Sequence, residues 1–109
     1  MDWNNKKDCL AAVKKDGLLL KNCLIQNELL CLTAVEENGW ALKFVKEQTE
    51  KICLAAVKQA GRALVYAQQY TFDICLEAIN QDKSALELID KKEFPDAYSY
   101  YELLLCDKD

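Results

Sequence analysis

Cysteine recurs at Cys9, Cys31, Cys53 and Cys75, each 22 residues after the last, and each opens the same phrase: Cys-Leu, one variable residue, Ala, then Val or Ile. The copies run Cys9-Leu10-x-Ala12-Val13, Cys31-Leu32-x-Ala34-Val35, Cys53-Leu54-x-Ala56-Val57 and Cys75-Leu76-x-Ala78-Ile79. Eight residues after the cysteine stand Gly17, Gly39, Gly61 and Lys83; eleven after it stand Leu20, Leu42, Leu64 and Leu86, preceded by Leu19, Ala41, Ala63 and Ala85. A fixed period of this size is the signature of stacked arrays, because one small unit cannot bury its apolar face alone. The units fall at about residues 5–26, 27–48, 49–70 and 71–92.

Each unit reads as a short helical hairpin. Ile52 with Ala56, and Cys53 with Val57, repeat at helical spacing with Leu54 between them, as a core-facing stripe requires. Asn27, Thr49 and Thr71 stand where an N-cap would, and Asn4 or Asn5 would serve the first helix. Gly17, Gly39 and Gly61 are expected to close these helices in the left-handed conformation, with second helices over Trp40 to Glu47, Arg62 to Gln69 and Ser84 to Lys91. Lys83 replaces the glycine in the fourth unit, whose turn is therefore the least determined. Beyond Phe94-Pro95-Asp96 a last helix reaches Cys106, its tyrosines Tyr98, Tyr100 and Tyr101 breaking the Leu/Ala pattern as the end of an array does. The expected fold is all-α: a short α-solenoid of four 22-residue hairpins and a capping helix at 95–106, with the whole chain, 1–109, as one domain.

The apolar runs are broken by charge before reaching the roughly 20 residues of a membrane helix. Lys6, Lys7 and Asp8 stand where a secretory signal would need an apolar stretch, so a soluble, cytoplasmic protein is expected. Six cysteines invite a zinc or disulfide reading, but there is no CxxC and no histidine, and the four repeated thiols occupy one equivalent buried position each. They read as small apolar side chains in a core, as do Cys23 and Cys106 off the repeat. No metal or cofactor is expected. Without histidine the commonest general base is missing, and the single glycines at helix ends form no phosphate cradle. The acids Glu36-Glu37, Asp107 and Asp109 fall at a helix end and in the tail, where a solvated surface is the default. The chain is therefore read as a non-enzyme. A formal charge of −4, from 14 basic and 18 acidic residues, disfavours nucleic acid, and the lysines near the start (Lys6, Lys7, Lys14, Lys15, Lys21) are interspersed with Asp8 and Asp16.

In an array the shared residues build the core, and the changing ones line the surface open to partners. Nine, twelve and sixteen residues after the cysteine these are Leu18, Lys21, Ile25; Trp40, Lys43, Glu47; Arg62, Val65, Gln69; and Ser84, Glu87, Lys91, expected on one helical face. Trp40, Lys43, Glu47, Arg62, Val65, Gln69 and Glu87 are the candidate partner-binding residues, with Trp40 and Arg62 as the side-chain types that most often anchor interfaces. The competing reading of Trp40 is that it packs back on its own array. Phe44 and Tyr66 share a bulky position expected between layers.

The unit Cys-Leu-x-Ala-Val-x-x-x-Gly-x-Ala-Leu, as in Cys53 to Leu64, resembles a helical repeat of unknown function found in bacteria, including secreted effectors of intracellular pathogens, in phage-related genomes and in some protists. The likeness covers roughly residues 5 to 92; Lys83 and the tyrosine-rich end depart from it. It implies an interaction scaffold without catalytic residues, placed in a host cytosol if the chain is a secreted effector. The function expected is a protein-binding module acting through the variable face. Two alternatives stand beside it: an acidic inhibitor or decoy, such as a phage-type antagonist of a bacterial defence nuclease, consistent with a pI near 4.9, and a protein sequestering a small ligand or nucleotide in a pocket lined by Tyr66, Tyr70 or Trp40. The array ends leave a homodimer open.

Overall fold

A computed structural model describes residues 2–106, with the backbone alone at 104–106; the side chain of Cys106 and the acids Asp107 and Asp109 lie outside the described residues. Four ten-residue α-helices, α1 (Lys6–Lys15), α2 (Glu28–Glu37), α3 (Glu50–Gln59) and α4 (Phe72–Gln81), carry the Cys-Leu-x-Ala phrases. Each is followed by a six-residue 3₁₀ helix: η1 (Gly17–Asn22), η2 (Gly39–Phe44), η3 (Gly61–Tyr66) and η4 (Lys83–Leu88). Helix α5 (Pro95–Cys106) ends the described chain, with Pro95 at its first position. The described residues contain no β-strand.

The N-caps fall on the expected side chains. Asn5 accepts from the N–H groups of Lys7 and Asp8, Asn27 from Leu30, Thr49 from Ile52 and Thr71 from Ile74, which satisfies donors the first turn leaves over.

The second helices differ from expectation in type and length. They are 3₁₀ and stop at Phe44, Tyr66 and Leu88 rather than running on to Glu47, Gln69 and Lys91. A 3₁₀ helix rises about 2.0 Å per residue against about 1.5 Å for an α-helix. Six residues therefore return along most of the length of a ten-residue α-helix, and the rest of the 22-residue period, opened by extended Val45 or Ala67 and then bent, carries the chain to the next N-cap, while after Ile89 a turn closed by hydrogen bonds to the Asp90 carbonyl leads into α5.

The glycines also do something other than expected. None has a positive φ. The α-helices end on the preceding residue, extended at φ near −150° (Asp16, Asn38, Ala60, Asp82), and glycine opens the 3₁₀ helix. What glycine supplies is space. A Cβ on Gly17 would run into the carbonyl oxygen of Ala34, one on Gly39 into that of Ala56, and one on Gly61 would lie 2.5 Å from that of Ala78. The contact always reaches the repeated alanine of the next unit. The helix after unit four, α5, is not a further copy of that phrase, and there Lys83 opens η4 after Asp82, whose φ −151° and ψ 109° match those of the residues before the glycines.

One connected core runs from Cys9 to Ala97. The alanines at Ala34, Ala56 and Ala78 and the branched residues Val35, Val57 and Ile79 are fully buried, as are Leu20, Leu42 and Leu64 from the 3₁₀ layer. Among the described residues each α-helix packs on its neighbours in the chain, α1 on α2, α2 on α3, α3 on α4 and α4 on α5, and the 3₁₀ helices pack in the same succession. The outline is elongated, 52 × 26 × 17 Å with a radius of gyration of 15.3 Å, where a spherical domain of this length would be near 13 Å. At the front, Trp3 folds back and its carbonyl accepts from the Cys9 thiol (3.2 Å) and the Leu24 N–H (2.9 Å). At the far end, the Tyr98 hydroxyl donates to the carbonyls of Ile89 (2.9 Å) and Leu86 (3.3 Å), fixing α5 on the last unit.

Candidate functional site

In a 3₁₀ helix, residues three apart eclipse one another. The ninth and twelfth residues after each cysteine therefore share one side of η1 to η4, while the tenth and eleventh point into the core: Ala41, Leu42, Ala63 and Leu64 are buried, and Trp40, Lys43 and Val65 are exposed. Five of the seven candidate residues, Trp40, Lys43, Arg62, Val65 and Glu87, lie on this 3₁₀ layer. Glu47 and Gln69 do not. Because η2 and η3 end three residues before them, they lie in the connecting loops, where each lines a groove at the edge of the array.

Along the face, side chains reach from one unit to the next. Trp40 is 40% exposed, and its ring meets Tyr66 edge-on, with centroids 5.8 Å apart and planes at 78°. This tryptophan packs on its own array and still presents surface. The Lys43 ammonium lies 5.8 Å from the centre of the Tyr66 ring and 5.9 Å from that of Phe44, within cation–π range. Phe44 and Tyr66 are half-buried and pack against the core. Arg62 donates to the Ser84 hydroxyl (2.9 Å) and carbonyl (3.2 Å), and lies 3.7 Å from the Glu87 carboxylate. Ser84 in turn donates through its hydroxyl (2.6 Å) and N–H (2.9 Å) to Asp82, which holds that carboxyl below its ordinary 3.8; the Arg62 charge adds a smaller effect. The Arg62–Glu87 pair is open to water, so its attraction is weak and salt-screened.

The repeated thiols are free and buried. Cys31 and Cys53 donate to the side-chain oxygens of Gln26 (3.6 Å) and Gln48 (3.5 Å). Burial raises the thiols of Cys31, Cys53 and Cys75 above 9.0, that of Cys75 to about 11. Cys23 is pushed up to about 12, first by burial and then by the Cys9 thiol beside it. Shifts in this direction keep a thiol protonated and unreactive. No set of three or more His, Cys, Asp or Glu among the described residues is grouped to hold a metal ion.

Gln26 and Gln48 carry a function that sequence reasoning missed. The Gln26 amide donates to the Phe44 carbonyl (2.7 Å) and accepts from the Lys46 N–H (3.0 Å); Gln48 does the same with Tyr66 (3.0 Å) and Gln68 (2.8 Å). Each clamps the loop that leaves the next unit's 3₁₀ helix. At the third equivalent position Tyr70 donates to the Leu88 carbonyl (3.4 Å) and stacks on Phe94, centroids 5.4 Å apart. The signal was present, since glutamine recurs five residues before Cys31 and Cys53.

The clamps border two grooves related by the 22-residue period. One, of 280 Å³, is lined by Leu24, Asn27, Glu28, Cys31 and Glu47 among others, and the next, of 370 Å³, by Thr49, Glu50, Cys53, Gln69 and Tyr70. Of the aromatics expected to line a ligand pocket, Tyr70 reaches the second groove; Trp40 and Tyr66 line neither. No family model, no curated protein and no solved structure matches this chain. No helix among the described residues is long and apolar enough to cross a membrane.

Proposed function

We propose that this chain is a non-enzymatic protein-binding module: a short α-solenoid of four 22-residue hairpins with a capping helix, related to the repeat it resembles and binding its partner through the 3₁₀ layer inside a cell. One observation carries the reading. On η2 and η3 the repeated residues turn inward, while Trp40, Lys43 and Val65, which differ between units, turn outward, and Trp40 is held by Tyr66 with part of its surface open. A partly exposed aromatic whose rotamer is already fixed loses little entropy on docking, which is the property of an interface anchor. Arg62 is similarly held by Ser84, and its guanidinium retains exposed surface.

The test compares capture from native cell extract by the wild-type chain and by a Trp40→Ala, Arg62→Ala variant, with captured proteins identified by mass spectrometry and helicity checked by circular dichroism. Specific partners are expected to be lost from the variant while its helix signal stays. A folded variant that retains the same partners in the same amount rejects this surface.

A further inference from the structure

The outward side chains of η1, η2 and η3 are Leu18 and Lys21, Trp40 and Lys43, and Arg62 and Val65. Three are cations, three are apolar and none is acidic, in a chain whose formal charge is −4. The neighbouring carboxylates are otherwise placed. Asp16 caps η1 by accepting from the Leu18 N–H at 3.0 Å, Glu47 lies in the loop beyond η2, and Glu87 on η4 ends the row, 3.7 Å from Arg62. Lys21 and Lys43 are left side by side in sequence register on successive packed 3₁₀ helices, η1 against η2, with no carboxylate among the described residues at ion-pair distance from either and with exposed Leu18 and Trp40 beside them.

We propose that this face recognises an acidic, apolar segment of a partner protein, its carboxylates meeting Lys21 and Lys43 and its apolar side chains covering Leu18, Trp40 and Val65. The proposal rests on the protein-binding reading above and adds the chemistry of the partner. Charge complementarity decides the sign: a basic strip on an acidic protein steers acidic segments toward it and repels basic ones. The Tyr66 and Phe44 rings, with an ammonium over them, offer little to a single-stranded nucleic acid, whose bases need free aromatic faces to stack on. Trp40 meets Tyr66 edge-on, and the Lys43 ammonium occupies the approach to the rings of Tyr66 and Phe44. The remaining apolar residues, Leu18 and Val65, are aliphatic and 36% and 55% exposed.

The experiment sorts a displayed library of random short peptides on the full chain, then measures the recovered peptides against the wild type, a Lys21→Glu, Lys43→Glu variant and the Trp40→Ala, Arg62→Ala variant at low and high salt. Recovered sequences are expected to combine Asp or Glu with apolar residues, and to bind the charge-reversed variant about tenfold more weakly, with affinity falling as salt rises. Basic or uncharged winners, no enrichment at all, or acidic winners held equally by the charge-reversed variant overturn the acidic occupant. In those cases native partners that still depend on Trp40 and Arg62 leave the protein-binding reading standing, whereas native capture indifferent to both residues defeats that reading itself. Oligothymidine bound through Lys21 and Lys43, or self-association abolished by reversing them, assigns the face to a nucleic acid or to a second copy of the chain, and either result overturns the proposal.

Discussion

At Gly39 a single hydrogen atom in place of a methyl lets two units meet, because the Ala56 carbonyl occupies the place a Cβ would take. That neighbour is backbone inside a packed helix and cannot swing aside, so Gly39→Ala is expected to cost about 2–4 kcal/mol, in the range of overpacked interiors. Lys83→Ala, at the equivalent position of the last unit, keeps a Cβ that is already accommodated and is expected to cost less than Gly39→Ala. Urea denaturation of the two variants checks the contrast, and a loss in Gly39→Ala no larger than that in Lys83→Ala would reject the steric reading. The thiols give a second residue-scale expectation. A group whose folded pKa is raised binds its proton more tightly when folded, so its stabilising effect is complete below the unfolded value and is lost as pH rises through the folded one. For Cys75 that window runs from 9.0 to about 11, with burial as the main cause and the Glu93 charge adding to it. Stability is expected to fall across this range and to fall less in Cys75→Ala, in which the neighbouring Tyr70 hydroxyl, raised first by burial, also loses the repulsion of the Cys75 thiolate. A slope identical in both proteins would contradict it.

Among the described elements, η3 is the one 3₁₀ helix without a side-chain cap. Asp16, Asn38 and Asp82 each accept from the N–H two residues on, but the third unit has Ala60 there, with the same extended backbone at φ −148° and ψ 107°. Ala60→Asn should install the missing bond to the Arg62 N–H and stabilise the protein by about 0.5–1 kcal/mol. A thermal melt reads this directly, and an unchanged or lower midpoint would mean that the cap geometry is set by its neighbours and not by the side chain. The glutamine clamps act at the same scale. Gln26 and Gln48 satisfy backbone groups of a neighbouring unit's loop and receive the buried cysteine thiol on the same oxygen that accepts the loop N–H. No buried side-chain nitrogen or oxygen among the described residues is left without a hydrogen-bond partner, consistent with the cost of orphaning one.

At the scale of the whole molecule, the described elements touch only elements of the same or an adjacent unit, so stability is expected to approximate a sum of unit and interface contributions and damage to stay local. Tyr98 joins α5 to the last unit through the carbonyls of Leu86 and Ile89. Tyr98→Ala is expected to destabilise by about 3 kcal/mol and to speed amide hydrogen exchange in α4 and η4 well before α1 and η1. Uniform acceleration along the chain would instead identify a single cooperative unit.

The 22-residue period, the helical character of each unit, the N-caps and the identity of the core positions were legible in the chain because they depend on local spacing and on side chains that recur. Asn27, Thr49, Thr71 and the buried Leu20, Leu42 and Leu64 are where that reading placed them. The type and length of the second helix were not legible, because a short apolar segment can bond as an α-helix or a 3₁₀ helix and its side-chain spacing does not choose between them. The same holds for the glycines, which sequence alone assigns to a left-handed turn and which the next unit's alanine carbonyls instead require for room. It holds as well for the face: Glu47 and Gln69 are in phase with Trp40 and Arg62 on an ideal α-helix and leave that face once the helix ends early. Period and composition are properties of one unit, whereas which residues share a surface is decided where two units touch.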